Sequence, residues 1–141
     1  MSQTLTGTIW GGVTISASPA TASVPTGYLV NEYDCGSSIT RTITIPNNVH
    51  VINVYAYAKN NAGGASDEYR DVSVEIYRNN KKWGYNSNSN TGSVGCNRDI
   101  GVTPNKQYTV SMYANGNEVY SIFQIEYSPT INNVTPDVYD Y

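Results

Sequence analysis

The sequence has few charged residues. Only 13% of its 141 residues are Asp, Glu, Lys or Arg, about half of the 25% or so that is usual in globular proteins. With 8 basic against 11 acidic residues and a net charge of -3, the chain lacks the basic surface that a nucleic-acid backbone requires. No apolar run approaches the roughly 20 residues of a membrane-spanning helix. We therefore expect neither nucleic acid nor a membrane as a partner.

Residues that build metal and catalytic sites are also scarce. The single histidine, His50, and the two cysteines, Cys35 and Cys96, match no standard zinc-ligand spacing. No GxSxG nucleophile motif is present. We expect no metal, no cofactor, no catalytic residues and thus a protein that is not an enzyme.

The two cysteines leave two alternatives open, a pair of free thiols or one disulfide. The first ten residues lack the basic and apolar regions of a secretory signal peptide. We therefore expect synthesis in the cytoplasm, where thiols stay reduced, and we favour free thiols.

Polar and aromatic residues that favour strands are abundant. The chain contains 13 Tyr, 17 Asn and 14 Thr, and Asn and Thr are poor helix formers while Tyr and Thr favour strands. The length fits one domain. We predict an all-β fold in which residues 1–128 form one domain and residues 129–141 form an extended C-terminal arm, because that segment shows no strand alternation.

Apolar and polar residues alternate in several short segments, which predicts about eight strands in a single β-sandwich of Greek-key or jelly-roll type. Asn79-Asn80 is predicted to be a two-residue hairpin turn. Asn115-Gly116 is predicted to close a second hairpin, and residues 86–93 are predicted to be a loop. The predicted strands are 39–45, 49–58, 70–78, 81–85, 107–113 and 118–127, with weaker signals at 4–10, 13–17 and 28–33.

Nine aliphatic residues on the apolar sides of these segments are predicted to form the core. They are Ile43, Ile45, Ile52, Val54, Val72, Val74, Ile76, Val110 and Ile125.

Tyrosine rings in alternating strands have two interpretations: amphipathic cover of the core, or a binding surface for sugars or proteins. The tyrosines within predicted strands include Tyr55, Tyr57, Tyr77, Tyr113, Tyr120 and Tyr127. Our candidate surface for a glycan or another partner consists of Trp83, Tyr85 and Tyr77.

Three segments carry a family resemblance. Residues 42–54, TITIPNNVHVINV, resemble a "T-x-T-I/V-P-x-x-V-x-x-I-x-V" pattern of β-rich domains in bacteriophage virion proteins such as fibres and adhesins. Residues 102–110, VTPNKQYTV, resemble the later "V-T-P-G-K-x-Y-T-V" of those domains, and residues 123–132, FQIEYSPTIN, are similar to their "Y-S-P-x-I-N" ending. The resemblance covers about residues 39–132.

This resemblance implies a non-catalytic virion protein made in the host cytoplasm, most simply a capsid-decorating or accessory protein, or else a tail or head fibre component. The alternative is a carbohydrate-binding module or adhesin that uses surface Trp and Tyr. The expected partners are capsid or tail subunits, further copies of the chain, and a host-surface glycan. Apolar residues in the arm are predicted to make assembly contacts. They are Ile131, Val134, Val138, Tyr139 and Tyr141.

Overall fold

The computed structural model describes residues 25–61 and 71–127, which form eight strands. The strands are β1 (Tyr28–Tyr33), β2 (Ser38–Thr44), β3 (Val51–Lys59), β4 (Val72–Arg78), β5 (Lys81–Asn88), β6 (Ser93–Gly101), β7 (Gln107–Asn115) and β8 (Tyr120–Tyr127). They form two four-stranded antiparallel sheets, ordered β1-β8-β3-β6 and β2-β7-β4-β5. The predicted all-β sandwich is confirmed.

The strand pairs are nested along the chain. β1 pairs with β8, β2 with β7, β3 with β6, and β4 with β5. The described chain therefore doubles back on itself as one long two-stranded ribbon. The β1–β8 and β3–β6 pairs of this ribbon join into one sheet through the β3–β8 pairing, and the β2–β7 and β4–β5 pairs join into the other through the β4–β7 pairing. This order is that of an eight-stranded jelly roll.

The tip of the ribbon is the turn between β4 and β5. Asn79 and Asn80 have positive φ angles of 48° and 67°, and Arg78 lies opposite Lys81 in the flanking register. Two consecutive positive φ angles are characteristic of the type I′ turn that matches strand twist, and Asn tolerates them. The predicted two-residue hairpin is confirmed.

The second predicted hairpin, at Asn115-Gly116, is wrong. β7 pairs with β2 and β4, whereas β8 pairs with β1 and β3, so the segment carries the chain from one sheet to the other. The glycine serves a close approach instead, because a Cβ at position 116 would collide with Oδ1 of Asn60. That oxygen accepts a 2.7 Å hydrogen bond from the backbone N–H of Asn117.

The core lies between the two sheets. All nine residues predicted for it are buried. The central strand β3 is buried along its inward face, as its apolar sequence predicts. The largest side chains that complete the core are Tyr108, Met112, Phe123 and Ile100.

The two open sides of the sandwich are closed in different ways. Between the edge strands β1 and β2, Arg41 donates two hydrogen bonds to the Glu32 carboxylate, Nε to Oε2 at 2.5 Å and the second nitrogen to Oε1 at 2.6 Å. Between β5 and β6, Gly84 allows close approach, since a Cβ there would lie 2.9 Å from both Cγ of Arg98 and Sγ of Cys96.

Strand β6 has no counterpart among the predicted strands, and the predicted loop 86–93 is too long because β5 extends to Asn88. Two glycines, an Asn and an Asp lower the β propensity of β6. Its inward series Val94, Cys96, Arg98 and Ile100 is interrupted by an exposed arginine. β6 is an edge strand of its sheet, so the side chain of Arg98 can reach solvent although it lies on the inward side.

Several predictions fall on parts of the chain outside the described residues. These are the weak strands 4–10 and 13–17 and the arm 129–141 with its five proposed assembly residues. Within residues 25–61 and 71–127, no helix is long and apolar enough to span a membrane.

Candidate functional site

The outer face of the β2-β7-β4-β5 sheet brings three tyrosines together. In the register, Glu75 on β4 lies opposite Tyr85 on β5 and Tyr113 on β7, while Tyr77 lies opposite Lys82. Alternation along each strand directs these positions away from the core. We call this group of Glu75, Tyr77, Lys82, Tyr85 and Tyr113 the tyrosine face.

The rings of the tyrosine face are held against one another yet remain accessible. Tyr77 and Tyr113 meet edge to face, with ring centroids 5.4 Å apart and planes at 85°, a favourable geometry for aromatic pairs. Tyr85 and Tyr113 are 51% and 47% exposed. A ligand can therefore reach two aromatic rings without moving the sheet.

Glu75 connects the polar groups of the tyrosine face. Its Oε2 lies 2.9 Å from Nζ of Lys82, and its Oε1 accepts a 3.3 Å hydrogen bond from the Tyr77 hydroxyl. Hydrogen bonding to Glu75 raises the pKa of Lys82. The ammonium also lies 5.6 Å from the Tyr85 ring centroid and 6.0 Å from that of Tyr77, within cation–π range.

The described residues on this side of the sheet line two depressions. One, of about 370 Å³, is lined by Glu75, Tyr77, Asn80 and Tyr113. The other has a volume of about 550 Å³. Tyr85 is one of its lining residues, and most of the others have hydroxyl or carboxamide side chains. We call it the polar depression; its polar lining residues are Asp71, Ser73, Tyr85, Ser87, Asn88, Ser89, Asn115 and Asn117.

Carboxamide hydrogen bonds brace the rim of the polar depression. Asn60 donates from Nδ2 to the Asp71 carbonyl at 3.0 Å and accepts from the Asn117 N–H. Asn88 Oδ1 accepts from the N–H groups of Asn90 and Thr91 at 2.7 and 3.3 Å, an arrangement typical of Asx turns. These hydrogen bonds connect Asn60 to Asp71 and Asn117, and Asn88 to residues 90–91, at the rim of the depression.

Trp83, which the sequence places in one surface with Tyr85 and Tyr77, lies elsewhere. The register shifts between Ile76 and Tyr77, so Tyr77 faces Lys82, and Trp83 is the extra residue of a β-bulge. The indole packs against the core, 4.8 Å from the guanidinium carbon of the buried Arg78. Tyr77 and Tyr85 remain together, and Lys82 takes the position that regular alternation assigns to Trp83.

The remaining strand tyrosines are distributed over other surfaces. Tyr55 and Tyr57 lie half-buried on the outer face of the other sheet, and burial raises the pKa of Tyr55. Tyr127 packs against the core. On that second outer face the Asn53 carboxamide donates to Asn97 at 2.5 Å and to Asp99 at 3.0 Å, so its polar side chains bind one another.

The cysteines are free thiols in the structure. Cys35 follows β1, which is three strands away from the β6 strand that carries Cys96. At about 4.8 Å per strand spacing, the separation is roughly twice the 7 Å or so that a disulfide can span between Cα atoms. Burial is the main cause that raises the pKa of both thiols.

His50 is half-buried immediately before β3, and its carbonyl accepts a 2.9 Å hydrogen bond from the Val102 N–H. In the described part of the chain, no group of three or more His, Cys, Asp or Glu side chains could hold a metal ion.

No protein-family model matches the sequence, and no curated protein matches it. Among solved structures, 67% of the chain overlays 11% of the dimeric latent PorU chain from Porphyromonas gingivalis, with a TM-score of 0.41 and 10% identity. In a second comparison, 78% of the chain overlays 88% of a structure described as the EclA C-terminal domain, a sugar-binding protein, with a TM-score of 0.46 and 12% identity. The chain thus spans about a tenth of PorU, and overlays this distant assign no function to it.

Proposed function

We propose that this chain is a non-catalytic carbohydrate-binding module whose binding site is the tyrosine face. The observation that carries the proposal is that Tyr85 and Tyr113, each about half exposed, flank a Glu75–Lys82 pair on one face of the sheet. The C–H face of a pyranose ring stacks well on the negative face of an aromatic ring. Neighbouring hydroxyl, carboxylate and ammonium groups supply hydrogen bonds for sugar hydroxyls.

The rigidity of the site favours binding. Tyr77 is held by Tyr113 on one side and by Glu75 on the other. A site that is already ordered avoids the cost of immobilising side chains when its ligand arrives. Sheet strands also position side chains more accurately than loops do.

The test is a glycan array probed with the labelled wild-type chain, Tyr85→Ala and Tyr33→Ala. Tyr33 is the matched control because it is 57% exposed but lies on β1 of the other sheet. We expect binding to neutral glycans that falls about tenfold or more in Tyr85→Ala, equivalent to about 1.4 kcal/mol, and is retained in Tyr33→Ala. No glycan binding, or equal loss in both variants, would overturn the proposal.

We propose further that the module is displayed on a bacteriophage particle as an accessory or fibre protein. The sequence resemblance to virion fibres and adhesins supports this location, and a glycan on the host surface would then be the ligand. Eight-stranded jelly rolls include both capsid and lectin domains, so the fold is compatible with either role and decides neither. Mass spectrometry of purified particles should find the chain at a fixed ratio to the capsid protein; its absence from particles would refute the location while leaving the binding site untouched.

A further inference from the structure

The tyrosine face and the polar depression are continuous. One step along β4 from the row that contains Glu75, Ser73 lies opposite Ser87 on β5 and Asn115 on β7. Successive rows on one face of a sheet are about 7 Å apart, because each row lies two residue positions along the strand from the last. Tyr85 belongs to the aromatic row and also lines the polar depression. The two depressions therefore form one surface along β4.

We infer that this surface binds a neutral oligosaccharide of several units lying along β4. The inference rests on the proposed function and extends it to the size and charge of the ligand. From Asp71 to Tyr77 the surface covers seven residues, and the six steps between them amount to about 20 Å at the rise of an antiparallel strand. That length is several times the width of one pyranose ring, so a single sugar would occupy only part of it.

The charges along the surface select against an anionic ligand. No basic side chain is among the described residues that line either depression. The neighbouring Lys82 is paired with Glu75 at 2.9 Å, and Asp71 at the far end adds a negative charge. Among the described lining residues, a sulfate or carboxylate on the sugar would therefore meet the negative charge of Asp71 and no cation, which is unfavourable.

The two rows contribute different interactions. Tyr85 and Tyr113 offer rings for stacking, whereas Ser73, Ser87 and Asn115 offer groups that both donate and accept hydrogen bonds. A ligand seated on the rings reaches the polar row only when it has further units. Affinity should therefore increase with chain length until the polar row is filled.

The experiment uses a size ladder, from monosaccharide to hexasaccharide, prepared by partial acid hydrolysis of the neutral polysaccharide with the strongest array signal. Titration calorimetry with the wild-type chain should show Kd falling about tenfold or more between one and four units and then levelling, a gain of about 1.4 kcal/mol. The double variant Ser87→Ala, Asn115→Ala should lose most of this gain and keep its monosaccharide affinity within about twofold.

Thr42→Ala is the matched control, because Thr42 is exposed on the same sheet on β2, away from both depressions. Affinity that is independent of length, equal weakening of every ladder member by the double variant, or tighter binding of sulfated analogues would overturn the inference. Failure of the proposed function would give different results. In that case no ladder member would bind, or Tyr85→Ala would bind the ladder as well as the wild-type chain does.

Discussion

Glu75 and Lys82 form an ion pair of 2.9 Å across neighbouring strands, and this pair lies among the three tyrosines of the tyrosine face. Because the two charges compensate each other, the aromatic surface presents little net charge to a ligand. Hydrogen bonding to Glu75 raises the pKa of Lys82, so the lysine remains charged up to and beyond its ordinary pKa near 10.4. Lys82 therefore stays protonated throughout the physiological pH range and does not limit the ion pair there.

Replacing Glu75 with Gln should change ligand preference. The variant leaves the Lys82 charge uncompensated and removes the carboxylate that accepts from Tyr77. We expect weaker binding of neutral glycans and a relative gain for sulfated ones on the same array. The exposed Glu126 on β8 of the other sheet provides the control Glu126→Gln; an identical shift in that variant would contradict the local explanation.

Replacing Glu32 with Gln should alter the acid dependence of stability. The hydrogen bonds from Arg41 lower the pKa of Glu32 in the folded chain. A lowered folded pKa means that this stabilisation is present above the unfolded value, near 4.3, and is lost as pH falls through the folded pKa. Thermal unfolding between pH 6 and pH 3 should show a shallower decline of Tm in Glu32→Gln than in the wild-type chain. Parallel curves would show that the pair contributes nothing.

Replacing Arg78 with Leu should destabilise the fold. The guanidinium carbon lies 4.8 Å from the Trp83 ring centroid and 5.1 Å from that of Tyr108, and the group donates to the Gly101 carbonyl. Loss of the two cation–π contacts and of a partner for that carbonyl should cost about 2–4 kcal/mol. Urea unfolding measures the change. Lys81→Leu removes an exposed contact with the same ring, since its Nζ lies 5.3 Å from the Trp83 centroid, and should cost less; equal costs would contradict the role given to Arg78.

Replacing Gly84 with Ala should weaken the contact between the two sheets at β5 and β6. The new Cβ would lie 2.9 Å from Cγ of Arg98 and Sγ of the buried Cys96. Overpacking of this kind costs about 1–3 kcal/mol. Chemical denaturation should show the loss in Gly84→Ala but not in Ser87→Ala on the same strand; unchanged stability would mean that β6 can move aside freely.

Sequence alone predicted the features that depend on local alternation and turn chemistry. The nine core residues and the Asn79-Asn80 turn follow from the residues beside them. Pairing of β7 with β2 and β4 instead of β8 depends on strands distant in the chain, so the local Asn-Gly signal at 115–116 was misleading. The turn preference of Asn115-Gly116 is therefore outweighed by the burial that β7 and β8 gain from pairing in different sheets.

The candidate site was predicted only in part, for the same physical reason. Tyr77 and Tyr85 were expected together and lie together. A one-residue bulge turns Trp83 away from that surface to pack against the core, since an extra residue reverses which side of the strand the side chains beyond it take. Glu75 and the polar row could be assigned to this surface only from the register between strands, which the sequence does not reveal.

The most direct test of the central claim is to locate the bound glycan on the protein. Two-dimensional ¹H–¹⁵N NMR of the wild-type chain, titrated with the strongest neutral glycan from the array, reports which backbone amides sense the ligand. We predict that the largest shifts fall on β4, β5 and β7 around Glu75, Tyr85 and Tyr113, with little change on β3 around Tyr55. Shifts centred on the outer face of the β1-β8-β3-β6 sheet, or none at saturating glycan, would contradict the assignment of the tyrosine face as the binding site.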